Sequence, residues 1–517
     1  MPDQALVREA LKRAELVVVQ DAYANTETCT YADVLLPASS WGEKEGTITN
    51  SERRIMRVRT AVRAPGEARD DWAIVVDFAR RLEARLSSAH YTQAGTLFPY
   101  STLEQIFDEH RETTRGRDLD ITGLSYALLD RNGPQQWPFP EGAECGQKRL
   151  YTDGVFATAS GRACFANTVY KPVADAVDAR FPFRLNTGRL RDQWHAMSRT
   201  GTVAQLFNHT ESPRVALNPH DLHRRGLVDG ELVRVESRRG SMILPVEASD
   251  RMRSGQAFVP MHWGSNFLSG SGARNQGAGI NALTNAAFDP DSKQPELKHA
   301  AVRIERAGLS WQLVAFGFAP DGKTLTLLEQ LRARMSAFPF ASCTLIGRKF
   351  PGALFHAASE QPLASELLGG LDALFGLDGE PVLRYDDTRR GISRRIRIDD
   401  GRVSAVRLAG DTQAAVWLKD WLIRGDSVAV LGRLLLAPTV AAPTGFVTCG
   451  KIVCNCWNVS QSEISEFVDA LPDVERVGNS AAFDAVQVAL KCGTQCGSCL
   501  PEVRRMVSER KRTRLAA

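Results

Sequence analysis

The chain has no apolar run approaching the ~20 residues that cross a bilayer as a helix, which argues against a membrane partner. Its opening residues, MPDQALVREALKRAELVVVQD, mix acids and bases before a short apolar stretch. They hold no secretory core and no twin arginine, so a cytoplasmic location is expected. A formal net charge of +4 over 517 residues is too small an excess to call for nucleic acid. No internal repeat is visible. The glycine fragments Gly270-Ser271-Gly272 and Gly277-Ala278-Gly279 lack a strand–turn–helix frame, which excludes them as a Rossmann fingerprint. Cysteine is sparse over most of the chain. Cys29, Cys145, Cys164 and Cys343 stand alone and read as packing residues, not as a disulfide framework.

The remaining six of the ten cysteines crowd into the end of the chain, as Cys449, Cys454, Cys456, Cys492, Cys496 and Cys499. A C-x-C pair and a C-x-x-C pair, separated by helix-sized sequence, can bring four thiolates round one metal centre. The flanks are organised for this. Ser460-Gln461-Ser462-Glu463 is a capping box that starts a helix after the first pair. Phe483, Val486 and Leu490 mark a second helix, with Gly493 placed as a C-cap glycine. Pro501 suits the first turn of a third, with Val503, Met506 and Val507 apolar. On spacing alone a structural zinc site competes with an iron–sulfur cluster. The basic tail from Arg504 to Arg514 reads as a solvated helix end.

A chain of this length exceeds one hydrophobic core, so roughly three or four domains are expected. A hydrophobic fraction of 43% and a charged fraction of 24% are ordinary for globular protein. Ala5 to Arg13 reads as a helix, Leu16 to Val19 as a short buried strand, Ala32 to Pro37 as a second strand, and Asp71 to Leu86 as an amphipathic helix. That rhythm implies a parallel α/β sheet that the chain enters partway. From about 180 to 306, short apolar runs split by Gly-Asp and Gly-Glu turns imply a β-barrel. Residues from about 308 to 440 look α/β again. An Ala/Pro linker, Ala437 to Thr444, precedes the cysteine module.

The run Val453-Cys454-x-Cys456-x-x-Val459-Ser460, with Gly493-Thr494-x-Cys496-Gly497-Ser498-Cys499-x-Pro501, resembles the bacterioferritin-associated-ferredoxin-like [2Fe-2S] domain. The resemblance implies that Cys454, Cys456, Cys496 and Cys499 ligate one [2Fe-2S] cluster. Two features depart from it: a longer segment between the pairs, around Pro472 to Ser480, and the additional thiol of Cys492.

Two stretches upstream carry a second resemblance. The first runs through Thr26-Glu27-Thr28, Tyr31-Ala32-Asp33-Val34-Leu35-Leu36-Pro37, Trp41 to Thr47 and Asn50 to Arg54. The second holds Asn186-Thr187-Gly188-Arg189, Gln193-Trp194-His195, Asn281-Ala282-Leu283-Thr284 and Pro295-Glu296-Leu297-Lys298. Glycine beside Thr and Arg suits an anionic ligand, and Trp with His suits a flat heterocycle. Taken singly, Arg189 reads equally as a surface ion pair, Trp194 as core filler and His195 as a core histidine. In order, the stretches resemble the molybdopterin oxidoreductase family, and in detail its cytoplasmic assimilatory nitrate reductases.

The resemblance implies a multidomain α/β plus β fold. Residues 1–175 would be the C-terminal part of the molybdopterin catalytic α/β region, and 176–306 a dinucleotide-binding β-barrel of the double-psi type. Residues 307–440 would be a small α/β domain with no role read for it, and 446–517 a small helical [2Fe-2S] domain. It implies molybdopterin guanine dinucleotide as cofactor, with Glu45, Thr47, Asn50, Asp71, Thr187, Gly188, Arg189, Gln193, Trp194, His195, Asn281 and Lys298 as contacts. It also implies nitrate as substrate and an electron-donor protein, either an NADH-dependent flavin reductase or a ferredoxin.

Relatives begin with a cysteine motif for a [4Fe-4S] cluster and carry a molybdenum-ligating cysteine, and neither motif is recognisable here. The expectation is therefore the C-terminal portion of a longer enzyme, inactive alone, whether as gene fragment, mis-called start or separate subunit. A formate dehydrogenase-like molybdoenzyme and a non-catalytic electron-transfer or cofactor-binding fragment are the competing readings.

Overall fold

The computed structural model describes residues 1–86, 95–269, 279–436, 442–443, 446, 450–471 and 478–516. The glycine fragments at 270–272 and 277–278, Cys449, most of the linker 437–444 and residues 472–477 lie outside the described residues. The chain divides into two units, one of residues 14–171 and one joining residues 1–13, with helix α1 (Gln4–Arg13), to residues 172–517.

In the 14–171 unit, β1 (Val18–Asp21) pairs in parallel with β2 (Val34–Pro37). The expected burial of Leu16 to Val19 does not hold. Val17 is buried, but Leu16 and Val18 are 62% and 50% exposed. Two strands make too small a layer for both faces to be covered, whereas apolar runs of this kind serve larger parallel sheets. β3 (Gly46–Thr49), β4 (Arg54–Val58) and β5 (Gln135–Gln136) form an antiparallel sheet. Helix α2 (Asp71–Leu86) buries Ile74 and Val76. Helices α3 (Leu103–Glu112) and α4 (Tyr126–Asn132) pack Phe107, Tyr126 and Leu129 with Ile55 and Phe139 into a small core.

The larger unit is built on a closed six-stranded barrel. Its strands are β6 (Phe183–Gly188), β7 (Val215–Leu217), β8 (Leu232–Glu236), β9 (Ser241–Ala248), β10 (Gln256–Pro260) and, past the two-residue β11 (Leu268–Ser269), β12 (His299–Arg306). They close in the order β10-β6-β12-β8-β9-β7, with β10–β6 and β7–β9 parallel and the other pairs antiparallel. Apolar residues at period two fill the interior, among them Leu185, Val215, Val233, Val235, Val259 and Val302. Helix α5 (Pro219–Arg224) starts on Asn218, whose side chain caps the His220 N–H.

Next comes a seven-stranded sheet, β11-β14-β15-β13-β18-β17-β16, antiparallel throughout. It adds β13 (Trp311–Gly317), β14 (Phe340–Ile346), β15 (Gly352–Ser359), β16 (Val382–Asp387), β17 (Ile392–Asp399) and β18 (Arg402–Ala409). Helices α6 (Thr324–Arg334) and α7 (Ser365–Phe375) share a core with Leu313 and Ala315. Helix α8 (Ala415–Arg424) shares another with Val314 and Phe316. Covering both faces explains why every residue of β14 is buried. The α/β rhythm expected for this region thus folds with an antiparallel sheet.

The last element group is a helical module. A short hairpin of β19 (Ile452–Cys454) and β20 (Val459–Ser460) precedes α9 (Gln461–Ala470), α10 (Asn479–Leu490) and α11 (Leu500–Ala516). The capping box on Ser460 and Glu463 forms. Helix α10 ends on Lys491 in the left-handed conformation, two residues before the glycine expected to cap it. Gly493 is required for another reason: at φ 76° it lets Leu500 pack where a Cβ would collide.

Candidate cofactor site and metal centre

Strand β6 delivers Gly188 to the barrel rim. The pleat turns Phe183, Leu185 and Thr187 to one side, and the Thr187 hydroxyl donates to the Val259 carbonyl at 2.7 Å. The Gly188 carbonyl accepts from the Met261 N–H at 3.0 Å. A methyl group there would press to 3.3 Å from the Phe258 ring, so glycine keeps the exit of the strand open.

The turn that follows is held by His262, a residue sequence reasoning missed. Only 1% exposed, it accepts from the Leu190 N–H through Nε2 at 2.9 Å and donates through Nδ1 to the Trp194 carbonyl at 2.7 Å. These partners fix the tautomer. Burial lowers its pKa, the Trp194 bond opposes this, and the charges of His195 and Arg189 lower it further, so the ring stays neutral. Gln193 braces the same turn, donating to Leu206 at 3.0 Å and accepting from Thr200 at 2.6 Å.

Arg189, Trp194 and His195 are left facing outward. Arg189 Nη2 lies 2.6 Å from His195 Nε2, and the His195 ring stands edge-on to Trp194 at 5.3 Å. Arg199, also missed, lies 4.7 Å from the Trp194 ring centre. Ala196 and Met197 both take positive φ, 48° and 54°, so this bend is strained. A tryptophan face with adjoining cations can take up a flat ring and an anionic group.

Asn281 sits on a single turn, its Oδ1 accepting from Thr284 at 3.2 Å, and Lys298 is exposed just before β12. Two buried donors, Trp263 Nε1 and Asn285 Nδ2, find no hydrogen-bond partner among the described residues. Buried donors are rarely left unpaired, so an acceptor-rich ligand such as a pterin or pyrophosphate fits the chemistry of this part of the barrel.

The other four candidates lie in the 14–171 unit. Glu45 pairs with Arg57 at 3.4 Å, and Thr47 lies in β3 opposite Arg57. Asn50 accepts from the N–H groups of Glu52 and Arg54, both at 3.0 Å, shaping the turn between β3 and β4. Asp71 accepts from Gln20 at 2.7 Å and from Lys44. Burial raises its pKa, but the Lys44 and Gln20 hydrogen bonds outweigh it and hold it below the usual range.

At the metal centre, Cys454 and Cys499 are each 2% exposed, while Cys456 is half-buried and Cys496 exposed. Cys456 Sγ and Cys496 Sγ lie 3.3 Å apart. Cys454, Cys499 and the fully buried Cys492 pack in one core cluster. Trp457 Nε1 donates to Thr494 Oγ1 at 2.9 Å, tying the two cysteine loops together. Among the described residues no three His, Cys, Asp or Glu side chains close on a single metal position. Two thiol pairs fit a two-iron cluster with two thiolates per iron. The Ser498 hydroxyl lowers the Cys496 pKa, and burial pushes the Cys499 and Cys492 thiols up to about 12.

Arg191 and Asp192 join the two sites. Arg191 donates to Glu502 at 2.8 Å and to the Val453 carbonyl, and Asp192 accepts from Asn455 Nδ2 at 3.0 Å. Four residues past Gly188, the chain therefore holds the loop between the first two cysteines.

A barrel with a glycine, cation and tryptophan rim is thus joined to a paired-cysteine module, which sets a candidate cofactor site beside a candidate metal centre. Residues 1–81 match the Molybdopterin oxidoreductase model, 183–301 the Molydopterin dinucleotide binding domain, and 452–509 the BFD-like [2Fe-2S] binding domain. The chain is thus similar to molybdopterin oxidoreductases and to a [2Fe-2S] domain over these three stretches. It is 31% identical to a nitrate reductase of Klebsiella oxytoca over 98% of this chain and 54% of that protein. To an assimilatory nitrate reductase catalytic subunit of Bacillus subtilis it is 35% identical over 59% of this chain and 40% of that one. To an F420-dependent formate dehydrogenase subunit alpha of Methanocaldococcus jannaschii it is 36% identical over 59% and 41%. The chain thus spans about half or less of the length of these relatives. Among the described residues no helix is long and apolar enough to cross a membrane.

Proposed function

We propose that this chain is part of a cytoplasmic assimilatory nitrate reductase that reduces nitrate to nitrite, fed by an NADH-dependent flavin reductase or a ferredoxin. One observation carries the choice. The similarity to the Klebsiella nitrate reductase runs over 98% of the chain, cysteine module included, whereas that to the formate dehydrogenase covers 59%.

In this reading residues 1–175 belong to the catalytic α/β region, 176–306 form a double-psi barrel for molybdopterin guanine dinucleotide, 307–440 a small α/β domain and 446–517 the [2Fe-2S] domain. When bound, the molybdenum cofactor supplies two-electron oxygen-atom transfer. The protein binds and orients. Arg189 and His195 offer donors to an anionic group, and Trp194 offers a face to a ring. The open backbone at Gly188 allows close approach, and Asn281 and Lys298 supply further polar contacts. Thr187 and Gln193 contribute by holding the strand exit and the turn in place. Glu45, Thr47, Asn50 and Asp71 are further contacts for the cofactor in this reading. Cys454, Cys456, Cys496 and Cys499 hold the cluster that passes single electrons.

The test is a dye assay on the complete enzyme containing this chain. Nitrate-dependent oxidation of reduced viologen is expected, with no formate-dependent dye reduction. The opposite pattern replaces nitrate reductase with formate dehydrogenase.

A further inference from the structure

The domain of residues 307–440, for which the sequence indicated no role, reaches the cysteine module through the side chain of Arg348. The turn between β14 and β15 is sharp, with Gly347 at φ 85°. It projects Arg348, which donates from Nη1 to the Asn455 carbonyl at 2.5 Å and from Nη2 to the Cys456 carbonyl at 3.0 Å. Asn455 and Cys456 complete the C-x-C pair, so both guanidinium donors end on the backbone that carries a cluster ligand. Gln205 donates to the same Asn455 carbonyl at 2.8 Å.

Arg191, the other arginine at this loop, is neutralised by Glu502 and Asp192. Arg348 differs. Among the described residues no carboxylate pairs with it, so its charge stands uncompensated beside the Cys456–Cys496 edge.

We propose that Arg348 is a positioning residue for the cluster: it fixes the Cys454–Cys456 loop against the β14–β15 turn and raises the cluster's reduction potential. This rests on the reading of the module as a [2Fe-2S] site. Two ferric ions, two sulfides and four thiolates sum to a charge of minus two. Reduction adds one electron to one iron, makes the charge minus three, and forms or breaks no bond at Arg348. A fixed cation next to the more exposed pair favours the more negative state. The bidentate hold also makes the module a docked relay, so the antiparallel domain acts as its seat.

The test is a mediated redox titration of the full chain carrying its cluster, followed by visible absorption and electron paramagnetic resonance. Arg348→Gln is expected to keep the cluster and to lower the equilibrium constant for its reduction about tenfold, about 59 mV for one electron. The difference should shrink as salt is raised, because an exposed charge is screened. Lys349→Gln removes a neighbouring cation that lies over the Phe350 ring and should leave the potential unchanged. An intact cluster with unchanged potential in Arg348→Gln, or an equal shift in Lys349→Gln, overturns the assignment. Should Arg348→Gln not retain the cluster, Arg348→Lys, which keeps the charge, decides: a potential near the wild type supports it, and one lowered by about 59 mV or more refutes it. No [2Fe-2S] signal in the unsubstituted chain would overturn the module's reading itself.

Discussion

The Glu502 carboxylate on α11 accepts from Arg191 Nη1 on the barrel turn at 2.8 Å, although the two lie 311 residues apart in sequence. His209 Nε2 at 3.1 Å and Lys451 Nζ at 2.5 Å meet the same carboxylate, which is 10% exposed. Burial alone would raise its pKa, but the hydrogen bonds from His209 and Lys451, with the Lys451 charge, hold it far below the usual carboxylate range. Removing one partner of a buried pair strands the others. Glu502→Ala is therefore expected to cost about 3–5 kcal/mol of stability, read from denaturant midpoints. Because the folded pKa is depressed, the contribution is complete above the unfolded value and falls away on acidification below it. The loss of stability below about pH 4.5 should be steeper in the wild type than in the variant. Parallel acid profiles would reduce Glu502 to a surface contact.

His356 on β15 shows the same linkage in a histidine. Burial lowers its pKa to about 4, opposed by Glu211 and reinforced by the charges of Lys419 and Arg214. The unfolded chain then binds a proton near pH 6.5 that the folded chain refuses until about pH 4. Stability should fall as pH drops through that window, with His262 adding to the slope in its upper part. Thermal melts of His356→Gln between pH 7 and 4 should be flatter than wild type. An unchanged slope would mean that His356 already titrates normally in the folded protein.

What was legible in the sequence was local. The capping box at Ser460, the helix begun at Leu500-Pro501 and the strand runs of the barrel follow from neighbours a few residues apart. The cysteine pairs were visible because ligand spacing is itself a short-range pattern. His262 and Arg348 were not, since their partners lie 72 and 107 residues away and nothing near them in sequence marks the meeting. The strand at Leu16 to Val19 misled for a related reason: an apolar run reports what could be covered, not what covers it within these two strands. Residue type did not separate ligand contact from brace at Gln193 either, where both ends of the amide are taken up by Leu206 and Thr200.

On the barrel rim, Arg189→Ala in the complete enzyme should weaken pterin retention about tenfold or more, since a hydrogen bond to a charged group contributes about 1.5–3 kcal/mol. The His195 ring, 2.6 Å from Arg189, loses its neighbour as well. Pterin content after oxidative release is the readout. Full content would make the arginine a surface residue with an incidental histidine contact.

The cysteine module makes the strongest claim on ligand identity. Cys492 is fully buried in the same core cluster as Cys454 and Cys499, so its placement alone does not exclude it as a ligand. It lies one residue past the Lys491 cap of α10, packed in the module's own core and outside both pairs. Cys492→Ser should therefore keep the [2Fe-2S] cluster while costing about 1–3 kcal/mol for a buried hydroxyl. Cys496→Ser should lose the cluster or leave it labile, because the iron shared with Cys456 would lack a thiolate. Visible absorption and the electron paramagnetic resonance signal after one-electron reduction follow both variants. If Cys492→Ser bleaches the protein and Cys496→Ser does not, the buried thiol is the ligand. The longer stretch between the pairs has then changed which sulfur reaches the iron.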